Sequence, residues 1–302
     1  MKALNIKDRL KKQKNKKWYF FLNQLICGIK EDEVTAVGAQ LTYYLILSIF
    51  PFLIFFLNIL SYTSITQENL FNGLDILLPQ ETQKLLQGII NEIAYSSSDT
   101  LLSLSFLLTL WTGSLGITAI IKAINKAYNV KKKRPYWRLK AIAIIFTVAL
   151  ALLLIIVLGM LVFGELIGNK IFGLIGATNI FIHLWEKLRI VIPLMSMIII
   201  FALLYKFSPT PEEGIHLKIR HTLPGAIFTT IGWVIASMIF SYYVNNFGKY
   251  SKTYGSLGGI IVLLIWLYIA SIMIVLGGEI NGAYAATMSN KGINECGDDE
   301  KK

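Results

Sequence analysis

Histidine and cysteine are almost missing from this sequence, at three and two residues among 302. A catalytic metal centre or a structural zinc site needs His, Cys and carboxylates at close spacing. His183, His216 and His221 form neither an HxHxD nor an HExxH arrangement, so no metal and no cofactor is assigned. Cys27 and Cys296 lie near opposite ends with no CxxC, which gives no disulfide framework. There is no GxSxG nucleophile elbow and no GxxxxGK[ST] phosphate loop. These absences together speak against the common hydrolase, nuclease and nucleotide-dependent classes, and no catalytic residue is assigned. Charge is scarce too, at 16% of residues against 55% hydrophobic. No ionisable residue falls at the middle of a long apolar run, where a proton-driven pump usually keeps a carboxylate. The stretch "WYFFLNQLICGI" contains Asn23 and Gln24 and is followed by no small-x-small cleavage site, so it is not read as a cleaved signal.

What the chain does have is apolar length. Leu257 to Gly278 carries no charge, and at about 1.5 Å per residue it covers about 33 Å, enough for a hydrocarbon core. Six such runs are read as transmembrane helices, over about 36–60, 101–121, 139–163, 188–205, 223–244 and 257–283. Runs this long satisfy their own backbone polar groups as helices, whereas a barrel needs alternating segments of about ten residues. The fold class expected is all-α: a polytopic membrane bundle of six helices. Residues 1–35 form a basic segment in which Trp18, Phe21, Leu22, Leu25, Ile26 and Ile29 recur at helical spacing, as in a helix lying in the membrane interface. Residues 36–284 form the membrane domain, 62–100 an external helical loop, and 285–302 a disordered cytoplasmic tail.

The 29 Lys and Arg against 18 Asp and Glu are placed unevenly. Lys11, Lys12, Lys14, Lys16 and Lys17 precede the first span, and Lys131, Lys132, Lys133 and Arg134 lie between the second and third. The loop between the first and second spans has one lysine, Lys84, among several carboxylates. The positive-inside bias puts both termini in the cytoplasm. The basic residues named are then contacts for anionic inner-leaflet lipid, each worth about 1 kcal/mol near the surface. Nucleic acid is not expected as a partner; oligomeric state is not readable.

Polar residues fall in stripes along the spans. Gln40, Tyr44 and Ser48 repeat at four-residue steps in the first, and Thr109 and Thr112 belong to a row in the second. Ser237 marks the fifth; Tyr268 and Ser271 mark the sixth. Two readings stand: hydroxyls and small residues sealing a helix seam, or side chains lining a polar cavity between the first, second, fifth and sixth spans. Pro51, Gly255, Gly258, Gly278 and Gly282 are read as helix-break or close-packing positions. Glu279 ends the sixth apolar run. At matching depth it can pair with Gln40 at a cytoplasmic mouth, or it is an interfacial carboxylate.

Three stretches carry a resemblance: "AVGAQLTYYLILSIFPFLIFF", "LWTGSLGITAIIKAINKAYNVKKKRPYWRLKA" and "YGSLGGIIVLLIWLYIASIMIVLGGEINGAY". With "YKFSPTPE" and "LPGAIFTTIGW" they resemble the YihY / virulence factor BrkB family of bacterial inner-membrane proteins, from about Asp32 to Tyr284. The resemblance implies a multi-pass helical protein of the inner membrane, with roles centred on transport of solutes or cations, or on lipid handling. Matching positions are Gln40, Tyr44, Pro51, Asn125, Tyr254, Gly255, Trp266 and Glu279. The family has been labelled ribonuclease BN, a label for which no residues are found here. The expectation is a transporter or lipid-translocating protein acting on a small solute or lipid. A non-transporting envelope scaffold and a cation/proton antiporter are the alternatives.

Overall fold

The computed structural model describes residues 17–61, 99–130, 134–174, 178–210, 218–247 and 257–288. Within these residues there are seven helices and no strand: α1 Lys17–Glu31, α2 Val34–Ser61, α3 Asp99–Ala127, α4 Tyr136–Leu174, α5 Thr178–Phe207, α6 Ile219–Phe247 and α7 Gly258–Met288. The last six are long and apolar enough to cross a membrane. This is an all-α, multi-pass membrane protein, as the hydrophobic runs require. Of residues 62–100, read as an external helical loop, 62–98 lie outside the described residues and Asp99 and Thr100 begin α3; Lys11, Lys12, Lys14, Lys16, Lys131, Lys132, Lys133, Tyr254, Gly255 and the end of the tail also lie outside them.

Helix limits differ from the apolar runs in the direction expected, because polar flanking turns continue a helix that hydropathy alone truncates. The fourth span, read as 188–205, belongs to a helix that begins at Thr178. Helix α4 has 39 residues, about 58 Å at 1.5 Å per residue, and so outruns a ~30 Å hydrocarbon core. Helix α7 continues to Met288, past the start of the expected tail. Pro51, Pro193 and Pro224 all sit inside helices; Pro51 does not end α2.

Two tight turns close the α1 end. Glu33 (φ 49°) lies in the left-handed region between α1 and α2, after Asp32 N–H donates to Gly28 O at 2.9 Å. Asn129 (φ 53°) ends α3, where Val130 N–H reaches back to Asn125 O at 2.9 Å. Asparagine tolerates that conformation well at a helix C-terminus.

Helix α7 is the hub, packing against α1, α2, α3 and α6; α3 packs on α2 and α4, and α5 bridges α4 and α6. The main core joins Leu41, Ile121, Ile124, Phe146, Leu204 and Tyr205. Glycine sets the closeness of α7 to its neighbours. A Cβ at Gly225 would overlap the Gly277 carbonyl and Asn281, and one at Gly282 would overlap the Ala127 carbonyl. Gly278 and Gly282 lie where α7 packs closely on α3, and Gly258 is buried at the start of α7. Large apolar side chains such as Leu107, Ile145, Ile199 and Ile239 point outward, as lipid-facing side chains do. Cys27, by contrast, is buried and is not a free thiol.

Candidate functional site

The interior holds a cavity of about 400 Å³ at mid-height, lined by all six long helices. That volume falls within the ~300–1,000 Å³ of small-molecule sites. Helix α2 contributes Leu41, Tyr44, Ser48 and Phe52; α3 contributes Thr109, Gly113 and Ile120. Thr147, Ala151 and Leu154 come from α4, Met197 and Phe201 from α5, Thr229 and Trp233 from α6, and Trp266 and Ala270 from α7. The lining is overwhelmingly apolar. Three of its hydroxyls are turned onto their own backbone: Ser48 to Leu45 O at 3.0 Å, Thr109 to Ser105 O at 2.7 Å, Thr147 to Ala143 O at 2.8 Å. A hydroxyl satisfied on its own helix offers little to a polar guest.

This corrects the expected polar cavity between four spans: the cavity is apolar, and α4 and α5 share in it. Tyr44, Ser48 and Thr109 line it. Thr112 does not; its hydroxyl bonds Leu108 O at 2.7 Å. Ser237 accepts from Trp266 Nε1 at 3.1 Å in the α6–α7 seam, and Ser271 accepts from Thr42 at 3.2 Å in the α2–α7 seam. Tyr268 packs beside Gly38. All three lie in helix seams. A further seam joins Tyr205, Thr229 and the Ile274 carbonyl: Tyr205 Oη lies 2.7 Å from Thr229 Oγ1 and donates to Ile274 O at 2.7 Å. Asn281 accepts from Gly225 N–H at 2.8 Å and donates to Thr222 O at 3.1 Å. Sequence reasoning did not single out Asn281, Tyr205 or Thr229. Asn281 was the legible one, an amide two residues beyond Glu279 in a run otherwise nearly apolar.

The second polar place is the α1 end. Glu279 is 3% exposed, and its Oε1 is buried with no hydrogen-bond partner. Its other oxygen lies against Gly28, where a Cβ would overlap it. Asp32 stands within hydrogen-bonding range of Glu279, and Lys126 Nζ lies 3.5 Å from Asp32 Oδ1 while donating to Glu31 O at 2.7 Å. Burial raises the Asp32 carboxyl above its ordinary value, and the Lys126 ammonium acts against that. The expected Gln40–Glu279 pair is not formed. Gln40 is exposed, because Gly38 and Thr42 are the α2 positions that face α7 and residue 40 lies about 200° round the helix from Gly38. Helix α1 and the turn after it occupy the place given to Gln40.

Around the same end, Asn125 accepts from Thr210 N–H at 2.8 Å and donates to Ser208 O at 3.1 Å. Arg134 donates to Phe207 O at 3.2 Å and Pro209 O at 2.9 Å. Both tie down the segment leaving α5, so Arg134, read as a lipid contact, has structural acceptors; its burial lowers its affinity for the proton. Among the described residues, no three His, Cys, Asp or Glu come together as metal ligands do.

The profile of a family described as "Virulence factor BrkB" matches residues 25–300. A relative from Bacillus subtilis, named the ribonuclease-like protein YfkH, is 36% identical over 261 residues, covering 86% of this chain and 94% of its own. A UPF0761 membrane protein of Alteromonas mediterranea is 25% identical over 272 residues, 87% of this chain and 86% of its own. Another of that name, from Vibrio campbellii, is 26% identical over 271 residues, 87% and 81% of the two chains. No solved structure matches.

Proposed function

The chain belongs to the virulence factor BrkB family of membrane proteins, and on that footing we propose that it is an inner-membrane protein that admits the acyl chain of a lipid, or a similar amphiphile, to its interior and moves it across the bilayer. The observation that carries this reading is the apolar cavity of about 400 Å³ bounded by all six spans, with the Ser48, Thr109 and Thr147 hydroxyls bonded to their own backbone. A soluble polar solute would lose its hydration there without recovering hydrogen bonds; an acyl chain would not. Helix α1 supports a membrane-surface role: Trp18 and Ile26 are 68% and 53% exposed, as on a helix whose apolar face meets lipid. The basic residues beside it then meet anionic inner-leaflet lipid, with both termini cytoplasmic.

The ribonuclease-like name belongs to the Bacillus relative; we read this chain as a non-enzyme. A second reading, a non-transporting envelope scaffold, is favoured by the glycine contacts that hold α6 and α7 in one arrangement. The two are separated by reconstituting the purified chain into vesicles and following a fluorescent phospholipid between leaflets. The wild type is expected to accelerate exchange severalfold, and Ala151→Phe or Ser48→Leu, which fill the cavity, to remove that acceleration at equal protein content. Exchange that is unaffected by the protein would defeat the transport reading.

A further inference from the structure

Helix α4 carries Lys140 one turn inside its start, where a lysine ordinarily snorkels back toward water. Here the ammonium goes elsewhere. It donates to Ser114 Oγ at 2.6 Å and sits 4.5 Å from the centroid of the Trp111 ring. Ser114 adjoins Gly113, and Gly113 is in close contact with Thr147, two turns farther along α4 than Lys140. Gly113 and Thr147 both line the cavity. Lys140, Ala143, Thr147 and Ala151 follow one another on a single face of α4, the last two at the cavity wall. The charge is therefore drawn along α4 toward the cavity and away from the α1 end.

No carboxylate among the described residues pairs with it; the one ion pair they hold is Lys126 with Asp32. Ser114 takes one of the three ammonium protons, and the Trp111 face supplies only a quadrupole. Trp111 is 61% exposed, so this pocket of charge opens on the outer, lipid-facing side of the α3–α4 contact. A half-buried cation two turns along α4 from the cavity wall at Thr147, with no carboxylate partner among the described residues, matches a molecule with an anion at one end and an alkyl chain behind it.

We infer that Lys140 holds the anionic head of the amphiphile whose chain enters the cavity, so that the ligand class is an acyl lipid of net negative charge, whose head carries no cation to compensate its anion. This rests on the acyl-chain reading of the cavity and adds the charge of the head. Ser114 and Trp111 position the ammonium.

The full-length chain in phosphatidylcholine nanodiscs is titrated with phosphatidylglycerol or with phosphatidylcholine of the same acyl length, and tightly retained lipid is counted by native mass spectrometry. Wild type is expected to retain phosphatidylglycerol about tenfold better, in line with a charge-assisted contact. Lys140→Gln loses that preference and Lys140→Arg keeps it, while Ala151→Phe lowers retention of both lipids alike. A Lys140→Gln protein with the wild-type preference overturns the inference, and so does displacement of the lipid by soluble glycerol phosphate. Should Ala151→Phe change neither lipid, the cavity reading itself fails; should it act while Lys140→Gln does not, only the head-group assignment fails. The wild type supplies an independent measurement if Lys140→Gln does not fold: amine-reactive labelling of Lys140 slows severalfold in phosphatidylglycerol relative to phosphatidylcholine. Equal labelling in the two lipids overturns the assignment.

Discussion

Glu279 is legible in the sequence as an acid that ends an apolar run, and its surroundings are not. The residues that meet it, Gly28 and Asp32, lie about 250 positions away on the far side of five spans. Lys126 joins them from α3. Because burial raises the Asp32 carboxyl above its ordinary 3.8, the docked turn holds its proton more firmly than a solvated one does. Docking of this turn is thus best supported below pH 3.8 and weakens as pH rises through the raised value. Hydrogen exchange of the segment around the Asp32 N–H, corrected for intrinsic rates, is expected to speed up across that window, and Asp32→Asn to flatten the dependence. A slope of opposite sign would contradict the assignment. Gln40→Ala is expected to be silent in the same measurement, since its side chain is on the outer face. Asn281→Leu removes two interhelical hydrogen bonds and is expected to lower stability in mixed micelles by about 1–2 kcal/mol.

At the scale of helices, the seams rest on where glycine falls rather than on how many glycines there are. Gly277 and Gly278 are neighbours in sequence with different tolerances. A Cβ at Gly277 would overlap the hydroxyls of Thr229 and Tyr205 as well as the Gly225 carbonyl, two of them held by hydrogen bonds. A Cβ at Gly278 meets the Ile124 side chain at 3.1 Å, which can shift. Gly277→Ala is expected to cost about 1–3 kcal/mol, and Gly278→Ala clearly less, by thermal unfolding in detergent. Equal losses would mean that α6 and α7 do not touch where the structure has them. The polar stripes fall to the same logic. Steps of four residues advance about 40° round a helix each time, so Gln40, Tyr44 and Ser48 do not share one fate. The first is outside while the other two reach the cavity.

At the scale of the molecule, six spans and the distribution of lysine and arginine predict a threading that can be tested directly. Single cysteines placed at Trp18 and at Thr100, in a background lacking Cys27 and Cys296, are expected to react with a membrane-impermeant maleimide from opposite sides: Thr100 in intact cells, Trp18 only after permeabilisation. Labelling of both from one side would reverse the bundle or change the number of crossings. The hub position of α7 also bears on movement. A helix in contact with four others does not shift alone, so an opening that admits a lipid is not expected along α7.

Hydrophobic length determined the helical class and the six candidate crossings, because a bilayer leaves a chain of this composition few other solutions, while the family was carried by the motif stretches of the first, second and sixth spans. The stretch "LGGEINGA" also announced close packing at the end of the sixth span. Which face of each helix turns inward was decided only by tertiary packing. Serine and threonine look alike in sequence whether they line a cavity, seal a seam or bond their own backbone, and the difference is a rotation set by the neighbouring helices. For that reason the cavity is apolar where a polar one was expected, and Glu279 meets Gly28 and Asp32 instead of Gln40.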